Sequence, residues 1–386
     1  MSQQVDVAII GGGPVGASLA LALRDSGLDV CVLEARSAST SSSDARALAL
    51  SYGSRLLLER LGIWQSLHGV SPIRTIHISQ QHSFGRTLLC SEELSVPELG
   101  YVMPYTALQN TLTHGLQHSG VTTVFGASVT SLKSDTDAAS IHYRQAEVEH
   151  ILRARLAVVA DGGKLLAQQF PPEMHDYGQS ALITHVACTS PRTDMAFERF
   201  TPQGPAALLP FHQGYELVWT AAHERAQEML GWDDATFLRE LQHHFGDRVG
   251  DFTQVAKRTV FPLGLKRAPN ITPMPHTILL GNAAQTLHPV AGQGFNMGLR
   301  DAWELGLAIL DAAPESLGSV AMLKAYRDSR RIDRNMGIRF TDSLVKFFSN
   351  ELPVVSTGRA VALSALDCLP FAKRLVARRM MFGANG

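Results

Sequence analysis

The chain has 386 residues, 45% apolar and 18% charged, a length at which one hydrophobic core stops growing and two lobes are expected. Its 34 Lys and Arg stand against 35 Asp and Glu, so no overall field draws nucleic acid and no such role is expected. Cys31, Cys90, Cys188 and Cys368 form none of the close pairs that zinc or dithiol chemistry needs, and they read as reduced thiols with no metal. The opening MSQQVDVAII enters an apolar strand without a basic n-region or cleavage site, and no apolar run approaches the ~20 residues a bilayer span needs. The expectation is a cytoplasmic chain whose membrane contact is confined to the periphery of the inner membrane.

In chain order, Val5 to Ile10 reads as a buried parallel strand, Pro14 to Ser26 as a helix and Asp29 to Leu33 as a second strand, a βαβ opening. The SASTSSS stretch from Ser37 to Ser43 reads as a loop. Ile73 to Ser79 and Gly214 to Thr220 alternate apolar and polar residues between Gly and Pro, as strands of an antiparallel sheet do. Leu156 to Ala160 and Thr277 to Leu280 are short apolar strands that end in polar or Gly-containing turns, the pattern of strands entering a nucleotide-binding sheet. From Gly294 onward the spacing turns helical, over Asp301 to Ala312 and Met322 to Phe348.

Gly11, Gly13 and Gly16 in GGGPVG follow the first strand and open the first helix, and Glu34 follows Gly16 by 18 residues at the end of the second strand. This is the dinucleotide fingerprint in its structural context. Gly11 permits the tight turn, Gly13 lets backbone approach a pyrophosphate, and Gly16 lets helix and strand pack closely. The helix N-terminus stabilises phosphate charge, and Glu34 accepts hydrogen bonds from ribose hydroxyls. A second signal is TILLGNAAQTLHPVAGQGFNMGLRDAWEL, a strand, a long Gly-rich turn and a helix, which brings backbone N–H groups and a helix N-terminus to a flat polar ligand. No Gly-x-Ser-x-Gly elbow follows a strand, so a Ser-His-Asp hydrolase is not suggested. For His288, stabilising the turn beside Pro289 competes with acid-base work.

At HPVAGQGFNMGLRD the chain resembles the group A FAD monooxygenases, and GNAAQTLHP is similar to the 2-polyprenyl-6-methoxyphenol hydroxylases of ubiquinone biosynthesis. SDARALALS around Arg46, AFERFTPQGPAALLPF and TDSLVKFF carry the same likeness along nearly the whole chain. The resemblance implies an α/β fold like that of p-hydroxybenzoate hydroxylase: a Rossmann-like FAD-binding domain, an antiparallel-sheet substrate domain and C-terminal helices. The FAD domain is expected at 1–72, 100–175 and 272–340, the substrate domain at 73–99 and 176–271, and the helical segment at 341–386. The resemblance places Pro289 and Gly292, Gln293, Gly294, Phe295 and Asn296 at the flavin edge, with Pro289 and Gly292 to Gly294 as the reaction loop and no side-chain nucleophile. It also carries over Gly281, Asn282 and Asp161 as cofactor contacts, Arg46 beside the pyrophosphate and Gln109 on the flavin side chain. Arg46 and Gln109 read equally well as surface or capping residues, and Asp161 as the closure of an Asp-Gly turn.

The family departs here at Asn282, where most members have Asp, at Gln285, where many have His, and at Gly163, Lys164 and Leu165 after the Asp-Gly pair. The implied activity is hydroxylation of a polyprenylated phenol by O2 and NAD(P)H through a C4a-hydroperoxyflavin, chemistry that belongs to the cofactor. The alternative is a flavin-binding scaffold among other ubiquinone-pathway proteins, with little turnover. A halogenase is disfavoured because Trp64, Trp219, Trp232 and Trp303 form no Trp-x-Trp element, while a prenyl-chain reductase shares the fold. Finally, Lys373, Arg374, Arg378 and Arg379 lie among Phe371, Leu375, Val376, Met380 and Phe382. That segment reads either as a plain helix packed on the FAD domain or as a guide to a membrane or partner.

Overall fold

The computed structural model describes residues 3–38, 44, 46–81, 83–201, 203–287, 293–348 and 353–383, with backbone alone at 293, 340–348 and 353–360. The chain opens with β1 (Gln3–Ile10), α1 (Pro14–Ala22) and β2 (Val30–Glu34). Helix α1 starts on Gly13 with Pro14 in its first turn, where a missing N–H costs nothing. It ends four residues before the predicted Ser26, and Gly27, at φ +75°, then turns the chain into β2. The small residues of α1 are buried almost all round, because the helix lies between the sheet and other helices.

Next come β3 (Ala47–Ser51), α2 (Tyr52–Arg60), β4 (Ser71–Ile73), β5 (Thr75–Gln80), β6 (Arg86–Cys90) and β7 (Gly100–Pro104). The run Ile73 to Ser79, expected as one strand, is divided at Arg74. The Arg74 and Thr75 N–H groups donate to the Asp194 carbonyl, so β4 pairs with β7 while β5 joins another sheet. Then α3 (Tyr105–Gln117), β8 (Thr122–Phe125), β9 (Ser128–Ser134), β10 (Ala139–Gln145) and β11 (Val148–Val159) return to the first sheet.

The middle of the chain supplies β12 (Glu173–Cys188), β13 (Met195–Thr201), β14 (Gly204–Phe211), β15 (Gly214–Ala222), α4 (His223–Gly231) and α5 (Asp234–Phe245). It closes with β16 (Phe252–Val255) and β17 (Thr259–Arg267). The Asp233 carboxylate accepts from the Thr236 N–H (2.7 Å) and caps α5. After β18 (Thr277–Leu279) and β19 (Gln285–Thr286) the chain is helical through α6 (Gln293–Leu310), α7 (Val320–Phe348), α8 (Pro353–Cys368) and α9 (Pro370–Phe382).

Among the described residues the strands form three sheets. The first has seven strands, in the order β8-β2-β1-β11-β10-β9 with β18 on β11; β8, β2, β1, β11 and β18 run parallel. The second has nine, β19-β17-β12-β15-β14-β13-β5-β6 with β16 on β12, all antiparallel except the parallel pair β13 and β5. One face of this sheet presents Tyr215, Leu217 and Trp219 to α4 and α5, which answer with Met229, Phe237 and Phe245. Because side chains alternate along a strand, the intervening residues of β13, β14 and β15 face the other way, into the interior described next. The third sheet, β3-β7-β4, stands between the two larger ones.

Candidate active site

The carboxyl ends of β1, β2, β11 and β18 open on a cavity of about 1480 Å³, and its opposite wall is the inner face of the nine-stranded sheet. Ligands of open parallel sheets bind outside the carboxyl ends of the strands, and this volume exceeds what one small molecule needs. The two ends differ in chemistry. Gly11, Gly13, Glu34, Arg36, Arg46, Asp161 and Lys164 border one end, whereas Ile76, Ile78, Leu89, Leu363, Leu366 and Met380 border the other.

Three glycines shape the polar end by what a side chain would meet. A Cβ on Gly16 would stand 2.1 Å from the Gly11 carbonyl oxygen, and one on Gly11, at φ +105°, would stand 2.6 Å from that of Ala160. On Gly13 a Cβ would meet no atom within 4 Å, because that residue faces the cavity. Gly16 and Gly11 are therefore glycine for packing and turn, while Gly13 leaves room for a ligand, as a pyrophosphate over a helix N-terminus requires. Glu34, only 7% exposed, accepts from the Gly12 N–H (2.6 Å) and from Arg36 Nε (2.9 Å). Burial pushes its carboxyl upward, but the Arg36 and Gly12 hydrogen bonds outweigh this and hold it below the usual range. An ionised acceptor thus stands at the end of β2 beside the glycine turn, a donor set that fits the adenosine half of FAD.

The other predicted residues divide by how they are used. Arg46 borders the cavity, pairs with Asp44 (2.5 Å) and stacks over Phe261. Gln109 is 2% exposed and lies behind the glycine turn, not on the cavity wall; its Nε2 donates to the Gly12 carbonyl (3.1 Å). It supports the turn where the sequence suggested a flavin side-chain contact. Asp161 borders the cavity, yet its carboxylate accepts from the N–H groups of Gly163, Lys164 and Leu165 (2.7–3.1 Å) and so closes its own turn. Gly281, at φ +59°, and exposed Asn282 begin the turn after β18 and line the cavity.

Gly294, Phe295 and Asn296 also line it from α6. The Asn296 side chain ties that helix to its neighbours, since Oδ1 accepts from the Ser51 N–H (2.9 Å) and Ser54 Oγ (2.6 Å) while Nδ2 donates to the Ala49 carbonyl (3.1 Å). Pro289 and Gly292 lie outside the described residues, as does His288, and Gln293 opens α6. Buried ion pairs brace α6 against α7: Arg330 Nε donates to Asp301 (2.8 Å) and Arg330 also grips Asp333, which Arg300 approaches from α6.

Sequence reading missed Glu198. On β13 it points into the cavity between Ala196 and Phe200, and it has no hydrogen bond or ion pair among the described residues. Period-two alternation along AFERF was the available signal, because it puts Glu198 on the face of the two apolar neighbours.

The C-terminal helices pack against the rest of the chain. Val376 and Met380 line the cavity, Phe382 packs edge-on against Tyr52, and Lys373 is 7% exposed, paired with Glu93 (3.0 Å) and Asp367 (3.3 Å). Helix α9 is thus a wall of the cavity, and Phe371, Arg374, Leu375 and Arg378 remain on its exposed side. No group of His, Cys, Asp or Glu suited to a metal occurs among the described residues. No helix among them is long and apolar enough to cross a membrane.

Residues 4–336 match the FAD binding domain family. The chain is 32% identical over 386 residues to 3-demethoxyubiquinol 3-hydroxylase of Escherichia coli K12, covering 97% of each chain. It is also 32% identical to ubiquinone hydroxylase UbiL of Rhodospirillum rubrum, over 97% of this chain and 89% of that one. Among solved structures, p-nitrophenol 4-monooxygenase PnpA from Pseudomonas putida DLL-E4 superposes with a TM-score of 0.77 over 99% of both chains at 17% identity, a likeness of fold. With a family match over most of its length and relatives this similar from end to end, the chain belongs to the FAD-dependent aromatic monooxygenases that include the ubiquinone hydroxylases, with FAD as cofactor and NAD(P)H as co-substrate.

Proposed function

We infer that the chain hydroxylates a polyprenylated phenol in ubiquinone biosynthesis. The observation that carries this reading is the single cavity that begins at the glycine turn and ends among apolar side chains of the sheet, α8 and α9. A ring-and-tail substrate matches that gradient: a polar head near the cofactor, a hydrocarbon chain in the apolar end. The names of the relatives, 3-demethoxyubiquinol 3-hydroxylase and ubiquinone hydroxylase, support the substrate class.

In this reading 1–72, 100–175 and 272–340 form the FAD domain and 73–99 with 176–271 the substrate domain. Gly11, Gly13, Gly16 and Glu34 hold the adenosine half of FAD, with Arg46 beside the phosphates and Asp161, Gly281 and Asn282 along the ribityl side. Pro289 and Gly292 to Asn296 take the flavin edge. FAD supplies the oxygen activation when bound. The chain's own residues position the ring, and the apolar walls keep water from it. The exposed side of α9, with Phe371 and Leu375 between Arg374 and Arg378, suits a peripheral contact with an anionic membrane, from which a prenylated substrate must come.

The test is anaerobic mixing of the purified flavoprotein with NAD(P)H, followed by oxygen and a prenylated phenol. The expected result is bleaching of the flavin absorbance and then a product heavier by one oxygen atom. Absence of flavin reduction supports the scaffold alternative instead, and reduction with no oxygen inserted into the phenol opposes the hydroxylase reading. For the membrane contact, Arg374→Gln with Arg378→Gln should lower sedimentation with anionic vesicles; unchanged sedimentation would remove it.

A further inference from the structure

The nine-stranded sheet places one ionisable side chain on its cavity wall. Backbone pairing sets Ile78, Glu198, Ala207, Val218 and Ile183 side by side across five strands, and all five face the cavity. Four are hydrocarbon and the middle of the β13 segment is a carboxyl. Its neighbours along β13 on the same face, Ala196 and Phe200, are apolar as well, and Leu363 of α8 packs on Phe200 and Ile78. None of these is titratable.

A carboxyl in such surroundings loses solvation and gains nothing unless a ligand supplies the partner. Burial alone pushes it up to about 8, so the neutral acid is its main form at pH 7. Glu216, on β15 of the same sheet, shows the contrast. It is buried, and the Ala47 N–H donates to it, which gives it a structural reason to be there. Glu198 has no such partner among the described residues, and Leu or Gln at that position would remove a destabilising group. Groups that weaken a fold without a structural return concentrate where a ligand is met.

We propose that Glu198 is the hydroxyl-anchoring residue of the cavity and that the ligand it selects is an aromatic ring bearing a free hydroxyl and an apolar chain. The geometry follows from where Glu198 lies: Ala196 leads toward Ala47 and the polar end, and Phe200 leads toward Leu363 and the apolar end. A ring held at Glu198 therefore stands between the cofactor region and the space for a chain. This assignment rests on the hydroxylase reading, and it adds which side chain recognises the ring and which ring substituent is required.

The experiment measures equilibrium binding of a short-chain 2-alkylphenol and of its O-methyl ether to the flavin-loaded protein, by quenching of protein or flavin fluorescence. The wild-type protein should bind the phenol roughly tenfold more tightly than the ether, the size of one buried hydrogen bond. Glu198→Leu should abolish the preference by weakening the phenol more than the ether, and Glu198→Gln should keep most of it.

The pH profile separates recognition from a structural effect. A phenol donates to the carboxylate better than to the acid, so its affinity should rise between about pH 6.5 and 9. The ether can only accept, and its affinity should fall over the same range. Both trends should vanish in Glu198→Gln, which remains a usable probe if the Leu variant does not fold. Wild-type protein that binds neither ligand overturns the hydroxylase reading. Wild-type discrimination that survives in both variants, with its pH trends intact, overturns the role of Glu198 alone.

Discussion

The two ends of the cavity bind by different means. At the glycine turn the recognition elements are backbone and paired charge: a bare Cα at Gly13, the N-terminus of α1, and Glu34 already held by Gly12 and Arg36. At the sheet wall they are side chains projecting from strands far apart in sequence, hydrocarbon except for Glu198, Thr220 and Thr286. The first arrangement is rigid and specific for a cofactor that stays. The second is adaptable and leaves one polar group unsatisfied, as suits a substrate that comes and goes.

The sharpest way to break this comparison is to add a side chain at two glycines three residues apart. Gly16→Val forces atoms against the Gly11 carbonyl, and we expect a loss on the order of 3 kcal/mol of stability, or failure to fold. A Cβ at Gly13 meets no protein atom, so Gly13→Val should keep its circular dichroism while flavin content falls to background. Equal flavin content in the Gly13 variant and the parent would show that the cavity space beside that Cα is not used by the cofactor.

A second test reaches the brace behind the polar end. Arg330 joins Asp301 and Asp333 in a buried cluster, and truncating one partner of such a cluster leaves uncompensated charge. Arg330→Met should cost about 3–5 kcal/mol, measured by denaturant unfolding, with weaker FAD binding following as α6 loosens. Adding Asp301→Asn should recover part of the loss, because it removes one of the stranded carboxylates.

How much of this was legible depended on whether the signal was local. The glycine spacing, the βαβ opening and the Gly-rich turn before α6 are contiguous in sequence, and each tight contact concerns residues within a few positions or one strand away. The single run expected from Ile73 to Ser79 failed at Arg74 because its break is set by the Asp194 carbonyl, a partner more than a hundred residues distant. Gln109 presents an amide that could serve either cofactor or backbone, and its burial behind Gly12 with a hydrogen bond to that carbonyl is not readable from the sequence. The basic C-terminal residues look alike on paper. Folding sends Lys373 inward to two acids from other elements and leaves Arg374 and Arg378 outside.

The unpartnered carboxyl at the sheet wall should also mark the pH dependence of stability of the flavoprotein without substrate. Glu198 titrates near 4.5 when unfolded and at about 8 when folded. Below 4.5 both states hold the proton, and the difference is zero. Between the two values only the unfolded chain has released it, so stability falls as pH rises through that window and then levels off. Glu216, raised to about 7, adds a fall of the same sign over a narrower range. Because Glu198 retains surface toward the open cavity, its share is smaller than full burial implies. Glu198→Gln should remove its share of the slope across about pH 5 to 8, read most cleanly between about pH 7 and 8, where the share of Glu216 is fading; an unchanged slope there would mean that Glu198 is solvated in the folded protein.

The smallest effect belongs to the apolar end, where α9 is clasped to the sheet edge by Lys373. Its partners Glu93 and Asp367 are each nearly half exposed, so solvent screens the pairs, and Lys373→Met should cost only about 1 kcal/mol. The pH window distinguishes this contribution from that of Glu198. Burial works to raise Asp367, but the Leu88 N–H, the Thr87 hydroxyl and Lys373 outweigh it and hold its carboxyl below 3.8. Burial likewise opposes the charge on Lys373, and its bonds to Glu93 and Asp367 prevail and raise it above 10.5. The clasp therefore stabilises fully between these values, fading as pH falls through the folded pKa of Asp367 or rises through that of Lys373. Across the range in which Glu198 tilts the stability curve, the Lys373→Met difference should be flat with pH and should shrink as salt rises. A difference that instead grows between about pH 4.5 and 8 would couple the helix clasp to the cavity carboxyls, and the two ends could then no longer be treated as independent.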